Sequence, residues 1–239
     1  MSALLEVAGL TKRYGEVAAL SDVAFSLNEH EILGIIGPNG AGKTTLLECV
    51  AGLLPADSGR ALWRGEPLPR GRRKNAMFYM PDGVLPYADQ RVCAVLAFYA
   101  EMFGRPRSRA REVVKWLELE AVLDKRGDEL SKGYRRRLLL ATALIAPQPL
   151  LLLDEPFDGF DLRQTLAVMS LVRDLVERGC TMLLSIHQLT DAERICDRFL
   201  LLHAGRVLGA GTLTELRDLA PIRGAVQAVS LEEVLLALT

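Results

Sequence analysis

The sequence predicts an α/β fold: a mainly parallel core sheet, an N-terminal antiparallel β layer and an inserted helical sub-domain. Three observations predict it. A glycine-rich loop at residues 37–45 is flanked by a short apolar run and an apolar-faced helix. Beyond residue 150, apolar runs alternate with helical patterns, as in a parallel sheet with helices on its faces. Between these stretches, residues 90–122 change to helical spacing.

Taken in order, residues 4–10 and 17–27 read as strands joined by a turn at Arg13, Tyr14, Gly15 and Glu16, and they supply the antiparallel layer. Residues 31–36 form an apolar, β-branched strand. The loop that follows, Gly37, Pro38, Asn39, Gly40, Ala41, Gly42, Lys43, Thr44 and Thr45, fits the phosphate-binding pattern G-x-x-x-x-G-K-[ST]. Its glycines let backbone N–H groups turn inward around phosphate oxygens, and the next helix adds partial positive charge there. Lys43 can reach the terminal phosphates, and the Thr44 hydroxyl suits a Mg²⁺ held against them. A nucleoside triphosphate is the expected ligand.

Residues 60–63 read as a further strand, and Arg70, Gly71, Arg72, Arg73 and Lys74 as a solvated basic loop. Residues 76–80 form a buried strand ending at Pro81, Asp82 and Gly83. The helical sub-domain is expected over residues 84–145. In it Val92, Val95, Leu96 and Tyr99, then Val113, Val114, Leu117 and Leu119, recur at helical spacing, with Phe98, Phe103 and Trp116 as core aromatics. Arg105, Pro106, Arg107 and Ser108 separate its first two helices. Strands at 150–153 and 181–185 alternate with helices at 162–177 and 190–196, and short helices follow residue 212.

Composition narrows the function. The 239 residues carry a formal net charge of -1, which argues against nucleic acid as the main partner. Cys49, Cys93, Cys180 and Cys196 are far apart with no C-x-x-C pairing, as expected of reduced thiols rather than a disulfide or zinc framework. No apolar run is long enough to span a bilayer, and the N-terminus lacks a signal-peptide pattern. The expectation is a soluble chain able to dock on a membrane partner.

Asp154 and Glu155 directly follow four leucines, and strand C-termini in a parallel sheet line the ligand crevice. On residue types alone the pair has two readings. Asp154 can hold Mg²⁺ through water while Glu155 polarises a water aimed at the γ-phosphate; or both simply favour the N-terminus of the next helix. The phosphate loop upstream favours the first.

In this order the motifs resemble the ATPase subunit of an ABC transporter, over nearly the whole chain. Leu130, Ser131, Lys132, Gly133 and Tyr134 look like that family's L-S-G-G-Q signature. Phe157, Asp158, Gly159, Phe160 and Asp161 look like the loop after the acidic pair, with Asp161 at the position that crosses to a partner subunit. His187 matches the switch histidine and Tyr14 the aromatic that stacks on adenine. Asp82 stands where the family usually has glutamine, and Lys132 and Tyr134 also depart from its pattern; relatives that export drugs or lipids often carry an acid at the glutamine position.

The resemblance implies a P-loop NTPase that binds and hydrolyses ATP with Mg²⁺. Residues 1–83 and 146–220 are then a RecA-like core with the antiparallel layer, 84–145 the helical sub-domain, and 221–239 a helical tail. Glu155, His187 and Asp82 are the implied catalytic residues, and Thr44, Asp154 and Asp82 the metal ligands. Ser131, Gly133 and Asp161 would serve a nucleotide shared with a second cassette, in a homodimer. A separate integral membrane permease would hold the chain on the cytoplasmic face of the cell membrane. From the residues alone, Ser131 reads equally as an N-cap, His187 as a structural residue and Tyr14 as a surface aromatic.

Arg135, Arg136 and Arg137 point in different directions on a helix, so a solvated or salt-bridged face is expected there rather than a nucleic-acid stripe. Residues 230–239 resemble the ending of exporter ATPases and favour export. Two rival functions are a soluble ABC-type ATPase acting on ribosomes or DNA, and a low-turnover regulatory nucleotide-binding module. The first usually carries two cassettes or a long coiled-coil insertion, and neither pattern is visible here.

Overall fold

A computed structural model describes residues 3–84, 87–220 and 230–239. Residues 221–229 of the expected tail lie outside the described residues. β1 (Ala3–Tyr14) and β2 (Val17–Asn28) form the expected antiparallel hairpin. β3 (Ile32–Ile36) runs through the phosphate-binding loop into α1 (Lys43–Ala51). β4 (Ser58–Trp63) and the short β5 (Glu66–Pro67) complete a first sheet of order β2-β1-β4-β5. After the four-residue helix α2 (Arg73–Ala76) comes β6 (Met77–Met80). Three helices then pack on one another: α3 (Val92–Met102), α4 (Arg107–Trp116) and α5 (Lys132–Ile145).

The chain returns as β7 (Leu150–Asp154), α6 (Leu162–Glu177), β8 (Thr181–Ser185) and α7 (Leu189–Ile195). β9 (Arg198–His203), β10 (Arg206–Gly211), α8 (Leu213–Leu219) and α9 (Leu231–Leu238) follow. The second sheet has the order β10-β9-β3-β8-β7-β6, parallel throughout except at β10.

The leucine run explains how the layers meet. Successive strand residues point to opposite faces. Leu150 and Leu152 enter one core with Leu46, Leu47 and Val50 of α1 and the apolar face of the first sheet. Leu151 and Leu153 enter the other, with Leu138 of α5 and Val172 of α6. A sheet buried on both faces needs apolar residues at every position, not alternate ones.

Three expectations are corrected. Residues 198–211 form a hairpin, closed by Ala204 and Gly205 at positive φ, where the sequence assigns no element; an Ala-Gly turn is a weaker hairpin signal than Asn-Gly or Asp-Gly. Phe98 is exposed rather than core, with its ring 5.5 Å from that of Tyr87. The basic loop is not merely solvated. Arg70 donates from Nε to Gly52 O at 2.6 Å and from Nη2 to Leu53 O at 2.7 Å, while Arg73 Nη1 donates to Cys49 O at 2.5 Å. These carbonyls lie at the C-terminus of α1, where intrahelical partners run out and the helix dipole is negative.

Arg73→Ala is therefore expected to cost about 1–2 kcal/mol by loss of a charged cap to α1, whereas Arg72→Ala, at an exposed position, should stay within roughly 0.5 kcal/mol. Thermal melting of the two variants checks this; equal melting temperatures would remove the capping role.

Candidate active site

β3, β8, β7 and β6 lie side by side and parallel, so their C-terminal ends open onto one edge. That arrangement brings the phosphate loop after β3, Ser185 at the end of β8 with His187 beyond it, Asp154 at the end of β7 with Glu155 beyond it, and Asp82 after β6 to the same side of the sheet.

Backbone packing fixes the loop. A Cβ on Gly37 would sit 2.0 Å from Leu202 O of β9. Gly42, at φ +103, could bear a Cβ only 2.6 Å from Ala19 O. The Gly205 N–H bonds Ala41 O at 3.0 Å, tying the loop to the β9–β10 turn. Gly42 caps α1 without a side-chain bond, and no acid occupies the first turn of the helix. Its leading amides are thus left without a side-chain partner of their own, the condition under which a helix N-terminus receives an anion. Lys43, 8% exposed, donates from Nζ to Gly37 O at 2.8 Å and to Pro38 O at 3.3 Å, which holds the ammonium over the loop.

Asp154 is 1% exposed and is satisfied by hydroxyls. Thr44 Oγ1 donates to its Oδ2 at 2.8 Å, the Tyr79 hydroxyl reaches the same oxygen at 3.4 Å, and Ser185 Oγ donates to Oδ1. Burial pushes the Tyr79 phenol up, and the charge of Asp154 raises it further, so it stays a donor. Ser185 Oγ also accepts from the Glu155 N–H at 3.0 Å. Glu155 itself holds φ +49, a left-handed conformation that costs a non-glycine residue about 1–3 kcal/mol. Its Oε2 accepts from the His187 N–H at 3.0 Å.

Burial raises the Glu155 carboxyl above the ordinary glutamate range; Lys43 opposes this, Asp154 adds to it, and His187 lowers it. A carboxylate shifted upward is the better proton acceptor near neutrality. Glu155 and His187 open onto a cavity of about 310 Å³, which Asn39, Asp158 and Phe160 also line.

The other expected residues stand apart from the phosphate loop, with no hydrogen bond or ion pair to it among the described residues. Ser131 caps α5, accepting from the Tyr134 N–H at 3.4 Å, and Asp161 caps α6, accepting from the Gln164 N–H at 2.8 Å. Gly133 packs toward Gly159 and Gln164. Tyr14 ends β1, 52% exposed, with Lys12 Nζ 5.5 Å from its ring centroid. Asp82 pairs with Arg136.

Of the two accounts expected for the arginine run, the salt-bridged one holds for Arg136 and Arg137: both are buried, Arg136 pairs with Asp82, and Arg137 donates to Leu117 O at 2.9 Å and pairs with Glu118 at 2.7 Å. Arg135 alone is exposed, donating to Asp128 O at 2.8 Å. Sequence reasoning missed Ser185, Tyr79 and Arg136. Ser185 had one signal, a hydroxyl closing an apolar strand two residues before His187.

Fold and site together are those of an ATP-binding, ATP-hydrolysing domain. Residues 20–158, more than half the chain, match the family described as ABC transporter. The Nod factor export ATP-binding protein I of Burkholderia orbicola is 35% identical over 216 residues, covering 87% of this chain and 70% of that protein. The probable multidrug ABC transporter ATP-binding protein YbhF of Escherichia coli is 33% identical over 220 residues, covering 90% of this chain and 38% of that protein. A solved structure described as the ATP-binding subunit of an ABC transporter is 31% identical, with a TM-score of 0.87, covering 98% of this chain and 99% of that one. The chain belongs to the ABC transporter family, as an ATP-binding ATPase subunit.

Ser185→Ala should lower the rate of ATP hydrolysis about 10- to 100-fold, because it unpins both Asp154 and the Glu155 backbone, with ATP affinity nearly unchanged. Steady-state turnover beside equilibrium nucleotide binding measures the split; an unchanged turnover number would contradict the role.

Proposed function

We propose that this chain powers an exporter, by closing head to tail on a second copy of itself around two ATP molecules. The observation that carries the dimer is the separation within one chain. Lys43 and the loop amides serve the phosphates from one side, while Ser131, Gly133 and Asp161 share no hydrogen bond with that loop. A second cassette supplies the missing half: the α5 N-terminus, with its serine hydroxyl and dipole, meets the γ-phosphate held by its neighbour. Export is favoured by the Burkholderia orbicola relative, which is named for Nod factor export.

Tyr14 then stacks on adenine. Loop amides and Lys43 bind the phosphates. Glu155 takes the proton from an attacking water in the adjoining cavity, and His187 donates to a phosphate oxygen. Thr44 and Asp154 form an all-oxygen pair, and no group of three or more His, Cys, Asp or Glu suited to a metal occurs among the described residues. Such a site fits Mg²⁺, which prefers one or two protein oxygens plus substrate phosphates. When bound, the ion would neutralise charge on the phosphates.

Among the described residues no helix is long and apolar enough to cross a membrane. A separate permease is therefore the membrane component of this reading, with the chain peripheral on the cytoplasmic face. Val84, Tyr87, Phe98 and Met102, all at least 47% exposed, form its docking surface on α3 and the loop after Asp82.

Glu155→Gln should bind ATP, fail to hydrolyse it and accumulate as a nucleotide-bound dimer, read by light scattering. If that variant stays monomeric at saturating ATP while the wild type turns over normally, the scheme fails.

A further inference from the structure

One buried cation joins two loops that border the nucleotide site. Arg136, 5% exposed in α5, pairs through Nη2 with Asp82 of the loop after β6. The same nitrogen lies 3.7 Å from Asp158 Oδ2, and Nε donates to Asp158 O at 3.2 Å. Lys132 Nζ completes the group, 2.9 Å from Asp158 Oδ2. Two acids thus meet two bases. Asp158 borders the same cavity as Asn39, Glu155 and His187. Asp82 follows β6, the strand that carries Tyr79, whose hydroxyl contacts Asp154.

An acid at position 82 is a liability in a site that receives a triphosphate, since an unpaired carboxylate there repels the γ-phosphate. Arg136 answers that charge. It is also the link through which the helix starting behind Ser131 holds both loops.

We infer that Arg136 is a positioning residue for ATP: it neutralises Asp82, keeps that carboxylate off the phosphates, and ties the Asp82 loop to the Asp158 loop through α5. The inference rests on the proposed hydrolytic site. It makes two consequences specific. The pair should discriminate ATP from ADP, because a γ-phosphate adds negative charge beside the cavity that Glu155, His187 and Asp158 line, and Arg136 joins Asp158 to Asp82. Any displacement of α5 on meeting a partner cassette carries both loops with it.

The test is the ratio of ATP to ADP affinity, measured by equilibrium binding to the intact chain with Mg²⁺ present. Arg136→Gln should weaken ATP about tenfold while leaving ADP nearly unchanged. The double variant Asp82→Asn with Arg136→Gln should restore the wild-type ratio. A purely structural pair behaves otherwise: ATP and ADP affinity fall together, or the ratio is not restored, and either result overturns the inference. Should Arg136→Gln fail to fold by circular dichroism, Asp82→Asn alone decides, since it alters a half-exposed residue. It leaves Arg136 with one acid fewer, so the ATP to ADP ratio should rise severalfold; an unchanged or lower ratio overturns the inference. Loss of all nucleotide binding by the wild type would instead overturn the proposed function.

Discussion

A carboxylate with almost no access to water must be satisfied by the protein around it, and Asp154 is that carboxylate. No single element could satisfy it. Thr44 comes from the start of α1, Ser185 from the end of β8 and Tyr79 from β6. Their convergence requires β6, β7 and β8 to be adjacent and parallel, and the phosphate loop to turn tightly enough to lay Thr44 against β7. The close approaches of Gly37 to β9 and of Gly42 to β2 serve that turn. Sheet order, loop glycines and hydroxyl placement are thus one constraint seen from several positions.

Glu155 shows the other side of the same arrangement. Its backbone N–H is held by Ser185 and its carboxylate by the His187 N–H, so the residue that carries the local strain faces the cavity in which, on the proposed mechanism, it accepts a proton from water. Behind it, Arg136 and Lys132 bind the loop that follows. The charges beside the phosphate loop and the charges that brace the neighbouring loops therefore form two adjoining sets. Asp82 belongs to the second in this structure, although its position in the sequence suggests the first.

Much of the fold was legible because it depends on short-range pattern. The phosphate loop, the leucine strand, the helix at Leu162–Glu177 and the cap at Ser131 are each written in consecutive residues. The β9–β10 hairpin was not, because its turn residues carry a weak signal and it is held in the sheet by the pairing of β9 with β3. Two arginines misled for a related reason. Arg70 and Arg73 look like solvent-facing charge in sequence, yet they find carbonyls from 5 to 24 residues away.

The sequence by itself determined the ligand class, the fold class and the identity of the acids after the leucine strand, since spacing along the chain is enough to specify a glycine loop, a helix cap or a buried strand. Only the tertiary structure decided how those acids are used. Hydrogen bonding and charge pairing act across space at about 3 Å, and sequence separation says nothing about which hydroxyl reaches Asp154 or which guanidinium reaches Asp82.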